Sequence, residues 1–145
     1  MPALKRIDNT DILTHDVQRL VGFYHEVLGL PFFLPYEPSD DPAEQWAAID
    51  AGNVTIYIFR CLPGAHAPRR TEANLDNVPG LDSFAFEVDD LDATMAELDE
   101  QVEWVTGEVI TWKHPSGTWY RYRPFYDPDG NMLYVTEPHK VGGSS

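Results

Sequence analysis

Residues 83–98 read SFAFEVDDLDATMAEL, and the reading of this run decides the fold. Phe84, Phe86 and Val88 alternate with Ser83, Ala85 and Glu87, which is the period of a half-buried strand. Asp89 or Asp90 then offers a helix N-cap, and Leu91, Met95 and Leu98 recur at helical spacing. A strand therefore passes into an amphipathic helix with only a short polar joint between them.

The same order of signals stands earlier, at residues 9–29, NTDILTHDVQRLVGFYHEVLG. An alternating stretch from Ile7 to Thr14 leads to Asp16 as N-cap. Val17, Leu20, Val21, Tyr24 and Leu28 form the apolar stripe, and Gly29 is the C-terminal stop. Asn9 precedes Asp16 by seven positions, as Ser83 precedes Asp90. The chain reads twice in the same register.

Strand-like runs follow each helix. In the first half they are LPFFL, EQWAAIDA and NVTIYIFRC. In the second they are EVITWKH, TWYRYRPFY and NMLYVTE, with HPSG (114–117) as a hairpin turn and DPDG (127–130) as the turn before the last strand. Pro128 presets φ and Gly130 accepts a positive φ. The predicted fold class is α+β, with two βαβββ modules at residues 5–61 and 81–138. The Pro- and Gly-rich segment 62–80 is the linker, residues 1–140 make a single domain, and 141–145 form a loose tail.

Bulk properties narrow the partners. Hydrophobic residues are 43% and aromatics 12% of 145 residues, the make-up of a globular chain. The net charge of −14 repels nucleic acid and anionic membranes, so neither is expected as a partner. No apolar run reaches membrane-spanning length, and the N-terminus lacks a signal-peptide layout. Cys61 is the sole cysteine, so no internal disulfide forms, and the expected location is cytoplasmic.

The segments FYHEVLGL, FEVDDLDA and DPDGNMLYV, together with the duplicated order, resemble the vicinal oxygen chelate superfamily. That family includes glyoxalase I, extradiol dioxygenases and bleomycin-resistance proteins. The resemblance implies paired modules curled into an open cup of mixed sheet, helices outside and a ligand cavity inside. It also implies that metal-dependent members take ligands, commonly His and Glu, from the first and last strand of each module. By motif register those positions here are Asn9, Tyr57, Ser83 and Tyr134.

None of the four is a good ligand for a divalent ion. A tyrosine ionises only near pKa ~10 in an ordinary setting, and serine and asparagine offer neutral oxygens. Zinc, iron and nickel sites want imidazole, thiolate or carboxylate groups. The expectation is no metal and no cofactor. A relocated site from Asp11, Glu87 and His114 is the alternative, although no tight ligand spacing supports it. His15 and His139 read as surface residues, His25 as an outer helix residue and His66 as a linker residue. Cys61 reads as a half-buried strand-end residue rather than a nucleophile, because no paired base is evident in the sequence.

Aromatic residues then dominate the expected cavity. Val54, Ile56 and Ile58 suit the helix side of their strand, which leaves Thr55, Tyr57 and Phe59 on the other face. Trp46 shares a face with Ala48, opposite Ala47 and Ile49. Arg121 and Arg123 are poor core residues by charge, so they and Trp119 are expected on the cavity side, with Tyr120 and Tyr122 packed beneath. Trp112 joins from the neighbouring strand. The expected ligand-binding set is Asn9, Asp11, Trp46, Tyr57, Phe59, Ser83, Glu87, Trp112, Trp119, Arg121 and Tyr134.

Such a surface suits a flat conjugated molecule held by stacking. The first functional reading is a metal-free, non-catalytic, homodimeric binder of an aromatic natural product or antibiotic, serving self-resistance or transport. The second is a metal-independent isomerase, cyclase or lyase, with Glu87 as general base and Tyr57 or Tyr134 as oxyanion donors. The third is a dioxygenase or glyoxalase-type enzyme with displaced metal ligands.

Overall fold

The computed structural model describes residues 2–66 and 79–142, and the chain divides into two compact units, Met1–Ala67 and Pro68–Ser145. In the first, β1 (Asn9–Thr14) leads into α1 (Val17–Gly22), a π-helical turn (Phe23–Val27), β2 (Trp46–Asp50) and β3 (Thr55–Arg60). Asp16 caps α1 by accepting the Arg19 N–H at 3.0 Å. The helical run closes on the Leu28 N–H to Phe23 carbonyl bond, and Gly29 turns the chain away at φ 73°.

The described sheet of this unit has the order β1-β3-β2, with β1 parallel and β2 antiparallel to β3. Alternation in β3 sets its faces. Ile56 and Ile58 are fully buried, and their lateral neighbours Ile12, Ala47 and Ile49 are buried with them. Leu20, Val21 and Tyr24 complete this core from the helical segment, and burial of each large apolar side chain contributes about 1.5–3 kcal/mol. The opposite parity of all three strands is left to the other face.

Two expectations need correction here. The predicted strand LPFFL reduces to one isolated bridge, Phe32 to Ile49. Pro31 has no N–H to give a ladder, and its carbonyl instead accepts from Asp50. His25 is not an outward helix residue. It is half-buried, its Nδ1 lies 2.8 Å from the Leu30 carbonyl, and its ring stacks on Phe32 at 4.1 Å.

The second unit contains β4 (Phe84–Glu87), α2 (Leu91–Leu98), a short β5 (Glu103–Trp104) absent from the sequence reading, β6 (Ile110–Lys113), β7 (Trp119–Tyr126) and β8 (Met132–His139). Its described sheet runs β4-β8-β7, with β5 and β6 both pairing with β7. As in the first unit, the first strand lies parallel to the last. Leu133, Val135, Phe125, Leu91 and Leu98 are among its buried apolar residues, with Met132 and Tyr126 buried as well.

The β7–β8 turn is DPDG, as its residues predict. Asp127 is buried and its Oδ1 accepts the N–H groups of Asp129 and Asn131, both at 2.9 Å, while Gly130 sits at φ 83°. The HPSG turn also forms, closing β6 on β7 with Gly117 at φ 99°.

Candidate functional site

The open face of the first unit is a grid that follows from the strand register. One row is Asn9, Thr55 and Asp50; the next is Asp11, Tyr57 and Ala48; the third is Leu13, Phe59 and Trp46. Polarity falls along the strands. The first two rows are tied along β1 by Asn9 Nδ2 donating to Asp11 Oδ1 at 2.7 Å. The apolar row is open to solvent, with Leu13 63% and Trp46 38% exposed. Tyr57 and Phe59 stack at 5.8 Å with planes 14° apart, and Trp46 stands 6.3 Å from Phe59 at 27°.

Sequence reasoning placed Asn9, Asp11, Trp46, Tyr57 and Phe59 on one face, and the register brings them together there. Leu13 was missed, although it shares the parity of Asn9 and Asp11. The pairing also refines the motif register, since Asp11 rather than Asn9 lies directly beside Tyr57.

One step further along the same parity, His15 and Cys61 face each other. The Cys61 N–H donates to the Thr14 carbonyl, continuing the β1–β3 ladder past its last named pair. Cys61 Sγ is 3.2 Å from His15 Nδ1, and His15 Nε2 is 2.5 Å from the Ala65 carbonyl. The expectation that Cys61 has no paired base is therefore corrected. Phe59 and Cys61 share parity in the sequence, as do Leu13 and His15, but it is the parallel pairing of the two strands that sets these ends side by side.

In the second unit, β8 divides in the same manner. Tyr134 lies beside Ala85 of β4 and Pro124 of β7, and Thr136 beside Glu87 and Tyr122. Tyr122 meets Tyr134 edge-on at 5.6 Å, and Tyr120 meets Trp112 edge-on at 5.7 Å. Glu87, Trp112 and Tyr134 thus share one face. Ser83 stands exposed just before β4, with its hydroxyl on Asp82 at 2.9 Å.

Trp119, Arg121 and Arg123 do not share the Tyr134 face, which corrects the expected orientation of β7. They pair with His139, Glu137 and Val135, whose parity is that of the core. The reason is electrostatic. Arg121 reaches Asp92 of α2 at 2.9 Å and Glu137 at 3.8 Å, so its charge is neutralised on the helix side. Arg123 donates from Nε and a terminal nitrogen to the Thr106 carbonyl and lies 4.4 Å over the Trp104 ring. Trp119 stacks on His139 at 3.9 Å and 6°. Glu137 in turn accepts the Leu91 N–H at 2.8 Å and bonds His139 at 2.6 Å. The Leu91 N–H, then His139 and Arg121, hold its carboxyl below the usual range.

The family's metal does not fit these residues. Asn9 offers one neutral amide oxygen, and the other three family positions offer only hydroxyl oxygens. The displaced set fares no better: His114 Nδ1 is engaged within its own turn by Ser116. Among the described residues, no three His, Cys, Asp or Glu side chains lie close enough together to hold an ion. No helix of the described residues is long and apolar enough to cross a membrane.

Twofold strand–helix–strand units, with first and last strands parallel and one sheet face left open, define a paired-module α+β protein built to present side chains from its sheets. The chain belongs to the Glyoxalase/Bleomycin resistance protein/Dioxygenase superfamily, which it matches over residues 6–135. It is 30% identical over 142 residues to YaeR of Escherichia coli K12, covering 94% of this chain and 99% of that one. Among solved structures it is similar to TnmS3, an antibiotic binding protein from Streptomyces sp. CB03234, with TM-score 0.61, 21% identity and coverage of 96% and 100%. It is similar also to the lactoylglutathione lyase of Agrobacterium tumefaciens, with TM-score 0.59, 20% identity and coverage of 93% and 95%. At these identities the solved structures share the fold.

Proposed function

We propose that this protein binds a flat aromatic small molecule on the Trp46–Tyr57–Phe59 face without turning it over, as a sequestering or carrier protein for an aromatic natural product. The observation that carries this reading is the near-parallel Tyr57–Phe59 stack, with Trp46 beside it and Leu13 extending the apolar row. Aromatic faces left in solvent cost hydration free energy, and an aromatic ligand recovers it by stacking and burial. Asp11, next to Tyr57, gives the ligand a polar edge to meet. Tyr134, Glu87 and Trp112 form a second candidate face on the other unit. TnmS3, an antibiotic binder of the same fold, supports the class, as does the poor fit of this donor set to a metal. Homodimerisation and a cytoplasmic location belong to the same proposal.

Tryptophan fluorescence tests it. Titration with a panel of fused-ring aromatic antibiotics should quench Trp46 saturably, and a ligand lacking reactive carbons should be recovered with unchanged mass. Conversion above a heat-killed control would overturn the reading in favour of an enzyme using Glu87 with Tyr57 or Tyr134.

A further inference from the structure

We infer that Cys61 and His15 form a nucleophilic pair that captures conjugated carbonyl compounds covalently at the apolar end of the first unit's open face. The pair is assembled by the strand register and one turn. Parallel pairing of β1 and β3 sets His15 against Cys61. Leu62-Pro63-Gly64-Ala65 then turns back, the Ala65 N–H donating to the Leu62 carbonyl at 3.1 Å with Gly64 at φ 79°. Pro at the second and Gly at the third position are the residues a type II turn requires. The turn brings the Ala65 carbonyl to His15 Nε2.

That carbonyl fixes the tautomer. A carbonyl oxygen only accepts, so Nε2 carries the hydrogen and Nδ1 presents its lone pair to the thiol at 3.2 Å. A nucleophile, a base within reach and a third group orienting the base make up the arrangement that activates thiols in cysteine chemistry. Cys61 is half-buried, and the same parity runs through Phe59 and Leu13, so a ligand stacked on the apolar row ends beside Sγ.

The step balances without a co-reactant. His15 Nδ1 takes the Sγ proton while sulfur bonds to the β-carbon of an α,β-unsaturated carbonyl. The π pair moves to the enolate, and the α-carbon then takes a proton from His15 Nδ1. The net change is addition of S–H across C=C, with nothing oxidised or reduced. The preferred ligand class is an aromatic scaffold bearing such a double bond, and for this class alone the inference rests on the binding face proposed above.

Intact-protein mass spectrometry tests the inference cleanly, because the chain has one cysteine. Rates of adduct formation with N-ethylmaleimide and N-phenylmaleimide are measured on the folded protein, on the urea-unfolded protein and on glutathione in each solvent. Relative to glutathione, the folded thiol should react at least about a hundredfold faster than the unfolded one, the low end of what a positioned base supplies. His15→Gln should remove most of that gain, with circular dichroism reporting the fold. N-phenylmaleimide should gain a further factor of about three or more over N-ethylmaleimide from contact with the apolar row. A folded thiol no faster than the unfolded one overturns the pair, whatever the variant does. Acceleration with no phenyl preference overturns the assigned ligand class and separates that failure from failure of the pair.

Discussion

Tyr57 and Phe59, two residues apart on β3, stack on the solvent face at 5.8 Å while Ile56 and Ile58 between and beside them are fully buried. One strand thus carries the core on one parity and the candidate binding surface on the other. Each parity answers to a different measurement. Phe59→Ala should weaken binding of an aromatic probe by about 1–3 kcal/mol through lost ring burial and stacking. Tyr57→Phe should keep most of the affinity. Equal affinity in wild type and Phe59→Ala, by fluorescence titration, would mean the probe sits elsewhere.

The buried parity is tested by stability. Ile58→Ala removes a fully buried side chain from a close-packed core and should cost about 2–5 kcal/mol in urea denaturation. Leu13→Ala, on the open face, should lie within about 0.5 kcal/mol of wild type. A large loss at Leu13 would show that this face is covered in solution, and sedimentation would then report by what.

These faces were legible in the sequence because β3 alternates without ambiguity: isoleucines on one parity, Thr55, Tyr57 and Phe59 on the other. β7 was not. In WYRYR both parities carry amphipathic residues, and the rule that charges avoid the core pointed the arginines outward. The missed signal lies in β8, where Glu137 shares the parity of Leu133 and Val135. A carboxylate there calls for a cation and for the N–H groups at a helix start, and Arg121 and Leu91 supply them. The Cys61–His15 pair escaped for another reason. It depends on the parallel register of strands distant in sequence, which the alternation of one strand does not reveal.

Glu137 makes that arrangement measurable by pH. Its folded pKa is depressed, so its contribution to stability is present above the unfolded carboxylate value and is lost as pH falls through the folded one. Glu137→Gln keeps the shape and removes the charge. Its Tm should lie below wild type at neutral pH, and the gap should close as the solution is acidified through the carboxylate range. A gap that stays constant with pH would show that ionisation of Glu137 contributes nothing to the α2 N-terminus.

The last prediction concerns Tyr134, which lies beside Ala85 and Pro124 and meets Tyr122 edge-on at 5.6 Å. If it serves as a wall for an aromatic ligand, Tyr134→Phe retains the ring and its edge-to-face partner, so most affinity should remain. Tyr134→Ala removes both and should weaken binding by about 1–3 kcal/mol. If the hydroxyl is instead an acid or oxyanion donor, Phe becomes nearly as damaging as Ala, and the loss appears in turnover rather than affinity. Tyr122→Ala separates direct from indirect effects: a wall held in place by Tyr122 loses affinity when that ring is removed, whereas a hydroxyl role survives better. Titration of all four proteins with one probe, after circular dichroism confirms the fold, decides between the two roles. Identical affinity across the set would place the ligand on the first unit's face alone, where Phe59→Ala would then carry the whole loss.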